Sequence, residues 1–216
     1  MPYYGDVSGD LRGLLNDEFD RCVVAVVAGS RVDCQRCPKR TVRNITRIDE
    51  AKWNELKYVE KRRFMECLSD CSEELSFGYA TFIKSQLQSI QHSHRLYQEQ
   101  TPPVWDIALR GYAYSEIIRD LLKDGERAVF YPDQFASKKQ QEQLETVVDT
   151  YTTNVSVSAS SSEQRKGIQA ADCLAGGIRE EKNGAEPWTD YLDNGLDTDN
   201  MNRWSMAQLS HRLSEM

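Results

Sequence analysis

The chain has 216 residues, 39% of them hydrophobic and 28% charged, with a net charge of −7; this is enough for one sizeable core and lies in the range of globular proteins, not fibrous or disordered ones. The longest apolar run, CVVAVVAG, is strand-sized, so no membrane span is expected; the polar, acidic N-terminus does not read as a secretory signal, and a cytoplasmic location is the default expectation. Overall acidity argues against tight non-specific binding to nucleic acid, but the charge is uneven: from Arg31 to Arg63 eleven Lys and Arg stand against five Asp and Glu, and from Glu180 to Met216 three stand against eight.

PYYGDVS (2–8) predicts a short first strand ending in a turn, and RCVVAVVAGS (21–30) a central strand covered on both faces. Residues 31–49 read as basic and irregular, broken at Pro38. A helix is expected from about Ala51 to Cys71, with Trp53, Leu56, Phe64, Cys67 and Cys71 on its apolar face. ELSFGYATFI (74–83) is strand-like, and the polar stretch 84–103 reads as a loop or a short exposed helix. In 104–125, Leu109, Ala113, Ile117 and Leu121 recur every fourth residue and Gly125 fits the stop position. RAVFYPD (127–133) is a short strand that delivers Asp133; a helix follows with Leu144, Val147, Val148 and Tyr151 on one side. NVSVSAS (154–160) alternates as a half-buried strand does, and 163–181 forms a last strong helix. The order of elements is that of an α/β domain over residues 1–181, followed by an acidic, weakly patterned C-terminal extension, 182–216, expected as a peripheral helix or mobile tail.

The carboxylates carry the chemistry. In the last helix Ile168, Ala171, Ala175 and Ile178 define an apolar stripe, and Asp172 falls within it. A core-facing carboxylate is costly unless it is paired, protonated or bound to a cation; the plainer alternative is a buried Asp satisfied by an Arg or a backbone amide. Asp133 follows a strand, where α/β sheets open toward ligands, although a helix N-terminal acid or turn former would look the same. Asp6 ends the first strand, with an Asp-x-Ser-Gly turn as its alternative. Three such acids converging on one spot could hold Mg²⁺ or Mn²⁺, and two ions about 3.5–4 Å apart suit phosphodiester cleavage.

These segments also carry a resemblance. GDVSGDL resembles the Asp-Glu-Ser-Gly opening of the domain-of-unknown-function 3800 family, NELKYVEKRRF its internal Glu-x-Lys segment, and VFYPDQ its fourth-strand Asp. GIQAADCLAGGI is similar to its Gln-x-Ala-Asp helix, the most specific of the matches, and together they run in order from Tyr3 to Ile178. The resemblance implies a ribonuclease H-like mixed sheet flanked by helices. It implies a two-metal site for Mg²⁺ or Mn²⁺ at Asp6, Glu55, Asp133 and Asp172, supported by Ser8, Lys57 and Gln169. Val7 stands where the family has a second acid, whose role is lost or passes to Asp10. In a continuous helix from Ala51, Glu55 points away from the apolar face and Glu60 into it; either the helix begins after Glu55 or Glu60 is the fourth acid. The expected activity is metal-dependent cleavage of DNA or RNA, with the 31–63 basic stretch, Lys138, Lys139, Arg165 and Lys166 on the phosphates. The alternative is an inactive nucleic-acid or protein binding module on the same fold.

Six cysteines are present: Cys22, Cys34, Cys37, Cys67, Cys71 and Cys173. Without an export signal, free thiols or a metal site are expected over disulfides. Cys34-Gln-Arg-Cys37 is a half-site for structural Zn²⁺ that Cys67 and Cys71, one helical turn apart, could complete; the alternative is that Cys67 and Cys71 pack as small hydrophobes. A thioredoxin-like role is disfavoured because Cys34 is not expected to open a helix after a strand. His92, His94 and His211 read as surface residues, and Gly176-Gly177 as a site of close packing.

Overall fold

The computed structural model describes residues 1–15, 18, 20–71, 73–85, 87, 102–135, 137–193 and 201–204. Strand β2 (Arg21–Gly29) is apolar at nearly every position. Its side chains alternate, so Val23, Ala25 and Val27 enter one core while Cys22, Val24, Val26 and Ala28 enter another. A strand buried on both faces needs partners on both edges: β1 (Pro2–Ser8) and β3 (Leu75–Ile83) flank it, both antiparallel. Beyond β1 lie β4 (Ala128–Pro132), parallel to β1, and β5 (Val155–Val157), parallel to β4. Beyond β3 lies β6 (Met201–Trp204), parallel to it, so the sheet order is β5-β4-β1-β2-β3-β6.

Helices cover both faces. One layer holds α2 (Arg31–Asn44), α3 (Tyr58–Ser69) and α6 (Lys166–Lys182), packed with Tyr4 and Tyr79. The other holds α1 (Leu11–Leu15), α4 (Pro102–Leu121) and α5 (Lys138–Tyr151), packed with Tyr3 and Phe130. A short helix, α7 (Asp190–Asp193), follows α6. Among the described residues no helix is long and apolar enough to cross a membrane. His92, His94 and His211 lie outside the described residues.

Three expectations are corrected. Residues 31–44 are helical, with Pro38 inside α2; Ser30 caps the helix by accepting the Asp33 N–H at 3.2 Å. Pro38 costs one backbone hydrogen bond, but Cys34, Gln35, Cys37 and Pro38 form a buried face that outweighs it. Cys34 therefore sits in the first turn of a helix that directly follows a strand. Second, 51–71 is not one helix: a 3-10 turn spans Trp53–Glu55, and α3 starts only after Lys57, whose backbone N–H donates to Glu60 Oε2 at 2.7 Å. Third, the described part of the acidic C-terminal segment, 182–193 and 201–204, is not peripheral: Trp188 and Leu192 are buried against α3 and α6, and β6 extends the sheet.

Gly176 and Gly177 let Trp53 and Met65 pack directly on the α6 backbone. A Cβ on Gly176 would lie 2.4 Å from Trp53 Cγ, and one on Gly177 2.1 Å from Met65 Cε. The methionine tip can swing away, whereas the indole is fixed between Gly176 and Trp188, which it meets edge-on at 5.2 Å. Gly176→Ala gains helix propensity of up to about 1 kcal/mol but forces overpacking. It is expected to destabilise the protein by roughly 1–3 kcal/mol in chemical denaturation, with Gly177→Ala costing less.

Candidate active site

Asp6 lies on β1 with its side chain on the same sheet face as Tyr4, toward α6. Because β1 and β4 run parallel with Gly5 opposite Pro132, the next residue on each strand is an aspartate, Asp6 beside Asp133. The Asp133 N–H donates to Gly5 O at 3.0 Å and fixes that adjacency. Asp172, on α6, approaches from above the sheet. The three aspartates line one cleft of about 520 Å³ together with Ser8, Glu50, Lys52, Gln169 and Arg179.

Glu50 joins the three aspartates in this cleft; Glu180 also lines it but is engaged with Lys61 and the Trp188 indole N–H. Glu55 is exposed on the 3-10 turn, away from the cleft, and its carbonyl accepts Arg47 Nη1 at 2.9 Å. Glu60 is also elsewhere, occupied in capping α3 and in an ion pair with Arg47. The expectation of Glu55, with Glu60 as its substitute, is thus corrected: Glu55 lies exposed on the turn at 53–55, and Glu50, at the bend before it, lines the cleft. Lys57 is exposed at the start of α3 and does not line the cleft, where Lys52 stands instead. Asp10 does not take over a second acid's role there; it pairs with Arg110 at 2.9 Å and accepts the Gly13 N–H at the start of α1. Ser8 and Gln169 do line the cleft.

Segment 49–53 is held on α6 by a set of polar contacts. Gln169, fully buried, accepts the Ala51 N–H at 3.0 Å and donates to Ser162 O at 3.0 Å, joining the two loops that border the cleft. Asp172 Oδ2 accepts the Trp53 N–H at 3.0 Å, and Lys166 Nζ donates to Asp49 O at 3.2 Å. Gln169 thus pins the segment that carries Glu50. Nothing in the periodicity of 51–71 marks Glu50; the signal available was the Asp49-Glu50 pair before a Trp that must dock on Gly176.

The acids are electrostatically crowded. Burial pushes the Asp6 carboxyl well above the ordinary aspartate range, and the charges of Asp172 and Asp133 push it further, against the Val7 N–H at 2.7 Å and the more distant Arg110. Burial also raises Asp133, opposed by the N–H groups of Gln134 and Ser162. Asp172 is pushed up to about 6, chiefly by burial, with Asp133 and Glu50 adding and the Trp53 N–H and Lys52 opposing. Glu50 Oε2 is 3.5 Å from Lys52 Nζ, while its Oε1 is buried with no hydrogen-bond partner. Acceptor-only oxygens, one of them orphaned, with mutual repulsion relieved by protons or cations, fit a hard divalent ion.

A raised carboxyl value has a definite consequence for stability. Between the ordinary aspartate value and about 6, the folded protein holds a proton on Asp172 that the unfolded chain has released. That contribution is complete at lower pH and is lost as pH rises through about 6. Without divalent metal, Asp172→Asn is therefore expected to be more stable than the parent by roughly 2 kcal/mol at pH 7.5 and equal to it near pH 4. Denaturation of both proteins across that range, in chelator, checks this; a pH-independent difference would refute it.

No family model matches the sequence, and no curated protein matches it. In structure, the chain is similar to RNase HII in the solved PCNA:RNase HII complex from Archaeoglobus fulgidus, with a TM-score of 0.54 and 18% identity over 92% of this chain and 81% of that one. The fold is the α/β ribonuclease H-like one expected from the sequence.

Proposed function

We propose that this protein is a divalent-metal-dependent nuclease acting on DNA or RNA. The observation that carries the reading is the meeting of Asp6, Glu50, Asp133 and Asp172 in one cleft that also holds Lys52 and Arg179. Mg²⁺ or Mn²⁺ held by these four carboxylates would polarise a water and offset negative charge on the scissile phosphate. The chain's own contribution is placement. Asp6 stands on a strand hydrogen-bonded on both sides, and Asp172 on a helix packed against that strand, so neither can retreat from the other. Gln169 keeps Glu50 in range, and Lys52 and Arg179 are positioned to meet a phosphate entering the cleft. On the outer face of α2, Lys39, Arg40 and Arg43 are exposed at helical spacing and suit backbone phosphates farther along a strand, whereas Arg36 beside them pairs with Asp33. Other members of the basic set are engaged within the protein: Arg47 with Glu60, Lys61 with Glu180, Arg62 with Glu66 and Lys138 with Glu142. Arg165 lies over the Tyr131 ring.

The structural neighbour is by name a ribonuclease, and the resemblance to the domain-of-unknown-function 3800 family supports the same reading. A cytoplasmic setting is part of the proposal. Val7, where the family has an acid, favours a second reading, an inactive binding module on the same fold. Incubation of the purified protein with labelled single- and double-stranded DNA and RNA, in Mn²⁺, Mg²⁺ or chelator, decides between them. Cleavage is expected with metal only. Asp172→Asn and Glu50→Gln should each lose about 100-fold or more, while Glu55→Gln stays within about twofold, since that side chain is outside the cleft. Absence of cleavage on all four substrates, together with absent Mn²⁺ binding in calorimetry, would favour the module.

A further inference from the structure

Four of the six cysteines gather at the other end of the α2–α3 contact. Cys34 and Cys37 lie one turn apart on the buried face of α2; Cys67 is in the last turn of α3 and Cys71 just past its end. All four are buried. The sulfurs of Cys37, Cys67 and Cys71 lie within 4.8 Å of one another. Where free thiols or a metal site were expected over disulfides, Cys37 and Cys67 are joined as a disulfide, with Cα atoms 5.7 Å apart. That bond uses two sulfurs and leaves a third in the same pocket and a fourth one helical turn away.

We propose that in the reduced protein Cys34, Cys37, Cys67 and Cys71 bind one Zn²⁺ ion that ties α2 to α3. The spacing, Cys-x₂-Cys on α2 and Cys-x₃-Cys across the end of α3, suits structural tetrathiolate sites. Zn–S bonds of about 2.3 Å set neighbouring sulfurs a little under 4 Å apart, so the three clustered sulfurs need only small adjustments, and Cys34, one turn before Cys37 on the same buried face, would supply the fourth. Soft thiolates select zinc over the hard ions suited to the carboxylate cleft. A zinc tetrathiolate carries a net charge of −2, and the surroundings oppose it. Arg36 Nη1 donates to Cys71 Sγ at 3.4 Å, a bond that strengthens when the acceptor is a thiolate. An entry path exists: a surface cavity bordered by Arg40, Asn44 and Arg63 reaches Cys67. The site is independent of the nuclease reading, because none of its ligands lines the carboxylate cleft.

The test uses the full chain carrying Asp172→Asn, which weakens the carboxylate cleft as a competing site. A phosphine reductant opens the Cys37–Cys67 bond, taking oxygen from water to become the phosphine oxide and leaving two thiols. Zn²⁺ is then titrated against a chromogenic chelator, and Co²⁺ is followed by visible and near-ultraviolet absorption. Expected are about one equivalent of zinc per chain and a cobalt spectrum with tetrahedral ligand-field and sulfur-to-cobalt charge-transfer bands. Cys34→Ser and Cys71→Ser, neither of which touches the disulfide, should each weaken zinc binding more than about tenfold, while Cys22→Ser leaves it unchanged. Less than about a tenth of an equivalent in the reduced protein, a cobalt spectrum without charge-transfer bands, or undiminished zinc in Cys71→Ser would each overturn the proposal. Should a serine variant fail to fold by circular dichroism, the cobalt spectrum of the chain with all its cysteines decides alone.

Discussion

The structure depends on keeping partly buried carboxyl groups together in one cleft, where water screens them less than at the surface. Burial raises the proton affinity of Asp6, Asp133 and Asp172; the charges of Asp172 and Asp133 add to Asp6, those of Asp133 and Glu50 add to Asp172, and that of Glu50 adds to Asp133, because β1, β4 and α6 hold these groups close. A surface cluster of acids relaxes by rotating into solvent. Here the backbone of Asp133 is bonded to Gly5, and Asp172 is bonded to the Trp53 N–H, so relaxation would require breaking the sheet or undocking a loop. Repulsion of this kind lowers the stability of the metal-free fold, and a sequence keeps it only where a cation or a proton repays it.

What resists the repulsion is the packing of α6. Its glycines admit Tyr4, Trp53 and Met65 to the helix backbone, at Gly167, Gly176 and Gly177 respectively. Close approach buries apolar surface around the acids and shortens the reach needed for Gln169 and Asp172 to meet the 51–53 amides. The same aromatic group, Trp53 with Trp188 and Tyr58, brings the C-terminal segment into the core, and Lys61 sits over the Trp53 ring while pairing with Glu180. The last turn of α6 and the residue that caps it, Glu180 and Asn183, form a wall of the cleft just where the C-terminal region begins.

Much of this was legible in the chain itself. The continuous apolar run of β2, the alternation of β5 and the fourfold spacing in α4 depend on local periodicity, which is what a sequence displays most directly. Asp172 was legible because a carboxylate in an apolar stripe is an anomaly within its own helix. Glu50 was not, because its role arises from a non-helical segment pinned by hydrogen bonds to residues more than a hundred positions away. The same holds for α2: Pro38 argues locally against a helix, and only the burial of Cys34, Gln35 and Cys37 against the sheet and α6 reverses the balance. Glu55 failed for the converse reason, since a motif match fixes residue order but not the backbone turn that decides which way a side chain faces.

The two clusters, carboxylates at one end and sulfurs at the other, divide the chemistry by hardness. Both are bordered by the segment running from α2 through the 3-10 turn into α3, which packs on α6 throughout. A cross-link between α2 and α3 would restrain this segment on the side away from the cleft, while Gln169 and Asp172 restrain it on the near side. Glu50 lies between these two anchors. Lys52 meets one oxygen of its carboxylate and leaves the other buried without a hydrogen bond, a desolvation cost that a further cation in the cleft would offset.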